Sequence, residues 1–214
     1  WFSELSEQLN FDYILTAHHA DDNLETFFIN LSRGTGLDGL LGIPVLNGNV
    51  VRPLLSFSRD DIENYAKEQK LEWREDSSND STKYLRNKLR HDVIPILKEI
   101  NPQLLQNFSK TQVHLNDSKC IIDDKISDVF DSVITPIDDF TFSLNIKEIK
   151  KLSHAKAYMY ELLKDFGFSE WEDVFNLLDA QSGKYIQTNS HRLIKDRDFL
   201  LLSEINSDDS ETIR

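Results

Sequence analysis

Two carboxylates and two histidines stand close together near the start of the chain. Residues 18–26 read His-His-Ala-Asp-Asp-Asn-Leu-Glu-Thr and follow residues 11–17, an apolar run typical of a buried strand. Asp22 and Glu25 are three positions apart, so both project from one face of the helix predicted over residues 21–33. Two carboxylates on one face can hold a Mg²⁺ carried by a nucleotide, or bind an ammonium group. The plain alternative is that these acids cap the positive end of a helix.

The position of this group favours a binding role. It lies where a strand ends and a helix begins, and ligands of open α/β sheets bind outside the carboxyl ends of the strands. His18 and His19 are adjacent, and adjacent strand residues point to opposite faces, which argues against one zinc ion between them. For Asp21, helix capping explains the residue as well as binding does.

A basic helix is predicted from residue 84 to about residue 93. Arg86 and Arg90 are one turn apart, so two guanidinium groups share a face and can grip phosphate in a bidentate manner. The opposite stripe is apolar: Leu85, Leu89 and Val93. Pro95 is expected to end or kink this helix. An ordinary surface helix with basic residues is the alternative.

A glycine-rich segment follows the first helix. Residues 33–40 read Arg-Gly-Thr-Gly-Leu-Asp-Gly-Leu, and because they follow a helix they form neither a P-loop nor a dinucleotide fingerprint. The glycines permit close backbone approach, but a simple exit from the helix would use them equally well. Further on, residues 50–55 predict a second strand, and Ser58 with Asp61 predicts a capping box that opens another helix.

The second half of the chain changes in style. Residues 101–133 carry a long amphipathic pattern, which predicts a helical connector with a break and places the domain boundary in or near it. A helix over residues 153–166 should end at Gly167, and Ser169 with Glu172 predicts a capping box for a helix through residue 178. After residue 183 the period becomes two, which predicts a small antiparallel meander.

Composition limits the possible functions. The formal net charge of −13 argues against a uniformly nucleic-acid-binding surface, although residues 83–98 and 184–197 are locally basic. Either basic segment can also be an ordinary solvated face. One cysteine, Cys120, excludes an intrachain disulfide and indicates a reducing compartment. We find no apolar run near the roughly 18 residues of a membrane span and no signal peptide.

The order of these motifs carries a resemblance that none of them carries alone. HHADDNLET, RGTGLDGLLGIP, VRPLLSFSRDDIENYA, WREDSSND and YLRNKLRHDVIPIL resemble the catalytic domain of tRNA(Ile)-lysidine synthetases, which are N-type ATP pyrophosphatases. The resemblance is dense over residues 11–98. More weakly, LLDAQSGKYIQTNSHRLIKDRDFLLL resembles the small substrate-binding domain of the same family.

The resemblance implies an α/β fold. A partial adenine-nucleotide alpha-hydrolase-like (Rossmann-like) parallel-sheet domain would be followed by a small α+β domain. The expected division is a partial catalytic domain over residues 1–100, a helical connector over 101–135, a small tRNA-binding domain over 136–206 and an acidic tail over 207–214.

The resemblance also implies a reaction, which would take place in the cytoplasm. ATP, with Mg²⁺, would adenylate O2 of the wobble cytidine of tRNA(Ile) with a CAU anticodon, and free lysine would then displace AMP. The implied catalytic residues are Asp22, Glu25 and Arg90, and the first two would also be the Mg²⁺ ligands. Nucleotide contacts are implied for His18, His19, Arg33, Gly34 and Gly36. Phosphate or tRNA contacts are implied for Arg86, Asn87, Lys88, Lys184 and Arg192.

One family motif is not found in this sequence. The pyrophosphate-binding loop of the form Ser-Gly-Gly-x-Asp-Ser does not occur, and the chain begins at Trp1 with residues typical of the end of a helix. We therefore expect a segment upstream, without which ATP would bind poorly. Two alternatives stay open: a tRNA thiolase of the same superfamily, disfavoured because Cys120 offers no iron–sulfur ligand set, and a non-catalytic tRNA-binding module.

Overall fold

The chain forms two compact units, Trp1–Cys120 and Ile121–Arg214. The computed structural model describes residue 4, residues 8–73 and residues 85–205. Most of the motif WREDSSND, Tyr84 and the acidic tail lie outside the described residues. The α/β class predicted from the sequence is confirmed.

A small sheet lies in the first unit. Its strands are β1 (Ile14–Leu15), β2 (Leu46–Asn47) and β3 (Val50–Val51), in the order β1-β3-β2. β1 and β3 pair in parallel, and β2 pairs with β3 antiparallel. Both predicted strands are shorter than their apolar runs. The parallel pairing puts the carboxyl ends of β1 and β3 at one edge of the sheet, where the first helix begins.

Three helices of this unit lie between residues 20 and 68. They are α1 (Ala20–Arg33), α2 (Leu37–Leu40) and α3 (Arg59–Glu68). The predicted capping box of Ser58 and Asp61 at the start of α3 is confirmed, with reciprocal side-chain to backbone bonds. The apolar stripe of α1 packs into a small core in which Leu24, Ile94 and Phe108 are buried. This packing fixes which face of α1 is left for the polar residues.

The basic helix is longer than expected. It comprises α4 (Leu85–Lys88), a π-helical turn (Leu89–Val93) and α5 (Ile94–Ile100). Pro95, which was expected to end or kink the helix, does not end it, because a π-helical turn precedes it and the chain continues as α5. Proline cannot donate the usual backbone bond, and a π-helical turn is one way in which a helix accommodates such a gap.

The helix α6 (Leu104–Val133) has 30 residues and crosses from one unit to the other. The expected break in it is wrong. No glycine or proline occurs inside it, so nothing in the sequence forces an interruption.

The second unit is built on an antiparallel sheet of order β4-β5-β8-β7-β6. Its strands are β4 (Ile134–Asp138), β5 (Thr141–Asn145), β6 (Tyr185–Gln187), β7 (His191–Asp196) and β8 (Phe199–Glu204). Its helices are α7 (Ile146–Lys151), α8 (Ala155–Leu163) and α9 (Trp171–Asn176). Leu144, Leu193 and Leu200 lie at the centre of the core, fully buried. The predicted meander is β6–β8, whereas β4 and β5 were not predicted.

Two local predictions for this unit have opposite outcomes. Gly167 has a φ of 81° and follows α8 after a 3₁₀ turn, as its position predicted. The capping box of Ser169 and Glu172 is wrong, because the N-cap of α9 is Glu170 and no side chain caps it. Within the described part of the chain, no helix is long and apolar enough to cross a bilayer.

Candidate active site

The start of α1 is fixed by a pair of side chains. His19 is the N-cap residue, and its Nδ1 accepts from the backbone N–H of Asp22 at 3.4 Å. In return, Oδ2 of Asp22 accepts from the backbone N–H of His19 at 3.1 Å. His18 lies beside Thr16, with 3.0 Å between Nδ1 and the threonine Oγ1. The two histidines therefore differ in their contacts, and only His19 caps the helix.

Glu25 is the most buried carboxylate of the described residues, with a side chain only 1% exposed. Arg90 binds it in a bidentate manner, donating from Nε to Oε1 at 2.6 Å and from Nη2 to Oε2 at 3.0 Å. Nη2 also donates to Oδ1 of Asp22 at 2.9 Å. The bond to Glu25 raises the pKa of Arg90 above its ordinary value. Because an unpaired buried carboxylate is costly, Glu25 depends on this arginine.

Arg86 completes the group from one turn earlier. Its Nε lies 3.3 Å from Oε2 of Glu25, and its Nη2 donates to Oγ1 of Thr26 at 2.9 Å. Its side chain is 42% exposed. We call Asp22, Glu25, Arg86 and Arg90 the carboxylate–arginine cluster. It lies at the N-terminal end of α1, near the edge of the sheet at which β1 and β3 end.

Asp21 has a different task from its neighbour. It is buried, and its Oδ2 accepts from the backbone N–H of Arg59 at 2.8 Å. Its Oδ1 accepts from Nζ of Lys98 at 2.6 Å. Asp21 therefore joins α1 to the start of α3 and to α5. Helix capping was the alternative explanation for Asp21. Asp21 does cap a helix, but that helix is α3 and not α1, in which Asp21 lies.

The pKa of Asp21 gives a prediction for acid stability. Burial acts to raise the pKa, but the bonds from Arg59 and Lys98 outweigh it and hold the pKa below its ordinary value. A carboxylate with a depressed pKa contributes stability that is present above the unfolded-state pKa and is lost as the pH falls through the folded-state pKa. We expect Asp21→Asn to lower the free energy of unfolding by about 1.5 kcal/mol at pH 7.

This difference should shrink as the pH falls below the ordinary carboxyl pKa and through the lowered pKa of Asp21. Urea unfolding of both proteins between pH 2.5 and pH 7 measures it. A difference that stayed constant over this range would show that the charge of Asp21 is not what stabilises the fold.

Of the other predicted site residues in the first unit, Arg33, Gly34 and Gly36 lie at the far end of α1 from the cluster. Arg33 is exposed at the far end of α1, eleven residues from Asp22 and thus about 16 Å along the helix axis. Gly34, with a φ of 73°, and Gly36 lie just beyond it. Asn87 and Lys88 are on α4. In the second unit, Lys184 is exposed before β6, and Arg192 on β7 lies over the ring of Tyr185 at 5.3 Å.

A cavity of about 540 Å³ opens on another face of α1. Ala20 and Asn23 line it from α1, Lys98 from α5, and Phe108 and Gln112 from α6. No residue predicted for the site lines it. Successive helical residues are about 100° apart, so Asn23 points away from Asp22 and further from Glu25. The cavity and the carboxylate–arginine cluster are therefore separate features.

Both units match protein families. The PP-loop domain matches residues 1–97, and the TilS substrate binding domain matches residues 137–205. The chain is 38% identical over 203 residues to tRNA(Ile)-lysidine synthase of Porphyromonas gingivalis strain W83, which covers 94% of this chain and 44% of that protein. The enzyme of the same name from Bacteroides thetaiotaomicron is 36% identical, covering 100% of this chain and 49% of that protein. The chain belongs to the tRNA(Ile)-lysidine synthase family. It spans just under half the length of these two relatives.

The carboxylate–arginine cluster offers little to a resident Mg²⁺. Mg²⁺ takes near-octahedral oxygen coordination, whereas here both oxygens of Glu25 and Oδ1 of Asp22 face guanidinium groups. Among the described residues, no group of three or more His, Cys, Asp or Glu side chains could hold a metal ion. Asp22 and Glu25, as arranged, do not fit the predicted role of magnesium ligands.

Sequence reasoning missed several residues of this region. Lys98 pairs with Asp21 across 77 positions, and no local spacing could have linked them. Thr26 carried a signal, since it stands one turn after Asp22 on the same face and beside Glu25. Asn23 lies inside the motif of residues 18–26. Its charged neighbours suggested ion binding, and no local pattern indicated a role for the Asn23 amide.

Proposed function

We propose that the protein to which this chain belongs attaches lysine to C2 of the wobble cytidine of a tRNA(Ile) with a CAU anticodon, at the expense of ATP. The carboxylate–arginine cluster is the observation that carries the proposal. Four charged side chains from two distant segments meet at the start of a helix, beside the carboxyl ends of two parallel strands. That edge is where ligands of open α/β sheets bind. The names of the relatives support the reaction class.

The reaction has two chemical steps. The cytidine O2 attacks the α-phosphate of ATP and pyrophosphate leaves, which converts a poor leaving group into an adenylate. The ε-amine of lysine then forms a bond to C2 and loses a proton, while the C2–O2 bond breaks and AMP departs. Each step develops charge on phosphate oxygens, and fixed cations stabilise such charge.

The cluster suits these demands. Glu25 holds the guanidinium plane of Arg90 in one orientation, so the arginine needs no reorganisation when phosphate charge develops. The exposed part of Arg86 is available to a phosphate of ATP or of the adenylate. We assign Asp22, which is less buried than Glu25, to the ammonium group of the incoming lysine.

The remaining assignments extend the proposal to ATP and tRNA. Mg²⁺ would enter with the phosphates of ATP as their counter-ion. Nucleotide contacts stay predicted for His18, His19, Arg33, Gly34 and Gly36, and tRNA contacts for Asn87, Lys88, Lys184 and Arg192. We expect the reaction in the cytoplasm, where ATP and tRNA meet under reducing conditions.

Labelled lysine tests the proposal in the full-length enzyme. We expect label in tRNA(Ile) with a CAU anticodon only when ATP is present, with one AMP and one pyrophosphate released per lysine. A matched tRNA with uridine at the wobble position should accept no label. Transfer of sulfur instead of lysine would make the protein a thiolase, and tRNA binding without any ATP turnover would make it a binding module. Either result would overturn the proposal.

A further inference from the structure

Residues 39–43 return along α1 after the glycine-rich exit from that helix. Gly39 lies beside Asn30, and Ile43 lies beside Asn23, so the segment runs from the last turn of the helix back towards its start. We call residues 39–43 the return segment. It ends next to the residue that follows Asp22, at the same end of α1 as the carboxylate–arginine cluster but on a different face.

Side-chain amides fix the backbone of the return segment. Oδ1 of Asn23 accepts from the backbone N–H of Ile43 at 2.7 Å. Nδ2 of Asn30 donates to the carbonyl of Gly39 at 2.9 Å. Nε2 of Gln112, on α6, donates to the carbonyl of Leu40 at 2.9 Å. The segment is thus tied to two helices through three backbone groups.

Two glycines of the return segment lie very close to neighbouring side chains. At Gly42 the φ is +72°, and a Cβ would lie 2.0 Å from Oδ1 of Asn23. At Gly39 a Cβ would lie 1.9 Å from Oγ1 of Thr35. Only glycine fits both places without displacing a neighbour.

From this geometry we infer that Asn23 and Asn30 are positioning residues for the proposed lysine transfer, which hold the return segment beside the Asp22 end of α1. The inference rests on the proposed function. The two amides lie seven positions apart, which is about two turns, so they form one stripe on α1. Asp22 and Glu25 lie on another face of α1. The helix therefore presents the carboxylates of the cluster on one face and the two asparagines that bind the return segment on another.

The two ties have opposite polarity, so a side chain that can only accept hydrogen bonds distinguishes them. Asn23 acts as an acceptor, and the carboxylate of aspartate can replace it. Asn30 acts as a donor, and a carboxylate in its place would face the carbonyl of Gly39. Aspartate should therefore preserve the tie at position 23 and break it at position 30, although the size of the side chain is the same.

Amide hydrogen exchange in the full-length enzyme measures the ties directly. We expect exchange in residues 39–43 to accelerate about tenfold in Asn23→Ala and in Asn30→Asp, and to stay near the wild-type rate in Asn23→Asp. Lysine transfer should follow the same order, with kcat/KM about tenfold lower in the first two variants. Melting temperatures show whether each variant is folded, and Asn30→Ser provides a milder variant if Asn30→Asp does not fold.

The outcomes separate this inference from the proposed function. Equal exchange in Asn23→Ala and Asn23→Asp would overturn it, because the acceptor would then not matter. The predicted exchange pattern with unchanged kcat/KM would also overturn it, since the segment would not serve the reaction. If the wild-type enzyme transferred no lysine, the proposed function would fail, whereas the exchange pattern would still report on the ties.

Discussion

Replacing Arg90 with methionine in the full-length enzyme should lower the free energy of unfolding by about 3 kcal/mol and remove lysine transfer. Arg90 makes both charged bonds to the buried carboxylate of Glu25, and without it a charge stays in the interior with only the partly exposed Arg86 beside it. Urea unfolding at pH 7 measures the first effect, and labelled lysine in tRNA measures the second.

Arg86→Met is the matched control for stability. The change removes the same kind of side chain one turn away, but Arg86 is far more exposed and leaves Glu25 paired. It should cost less than about 1 kcal/mol. Equal losses in the two variants would contradict the assignment of Arg90 as the principal partner.

A double variant separates folding from chemistry. In Arg90→Met with Glu25→Met, neither a buried charge nor its partner remains, and most of the lost stability should return. Lysine transfer should not return, because the guanidinium that we assign to phosphate charge is still missing. A double variant that was active would exclude Arg90 and Glu25 from the site.

Replacing Asp22 with asparagine should reduce kcat for lysine transfer about 100-fold, a size typical of losing one fixed charge at a reacting centre. The amide oxygen can still accept from the backbone N–H of His19, so the helix start is kept. We therefore expect less than about 1 kcal/mol of lost stability. Single-turnover transfer with saturating ATP and tRNA measures the chemical step.

Asp61→Asn is the control for this prediction. Asp61 occupies the same position in the capping box of α3 that Asp22 occupies in α1, but it pairs with Ser58 and contacts no arginine of the cluster. The change should leave lysine transfer unaffected. If both variants lost activity to the same extent, the cause would be the helix caps and not the carboxylate that faces Arg90.

The sequence by itself determined the elements that present the site. Strand-then-helix patterning placed the start of α1 at residue 21, because its apolar stripe repeats with helical period, and the structure begins the helix at residue 20. The same periodicity placed Asp22 with Glu25 on one face, and Arg86 with Arg90 on one face. The capping box of α3 followed from two residues three apart. These features depend on contacts within a few positions, which spacing alone can reveal.

Tertiary structure alone decided which of these faces meet. Arg90 and Glu25 are 65 positions apart, and the packing of α1 against the basic helix brings their charges together. The two carboxylates that the sequence predicted as magnesium ligands therefore pair with arginine, because a buried carboxylate is stable only beside a cation. Lys98 with Asp21, and Asn23 with Ile43, also depend on chain segments that fold back on each other. Local residue types state what a side chain can do, and only long-range packing selects its partner.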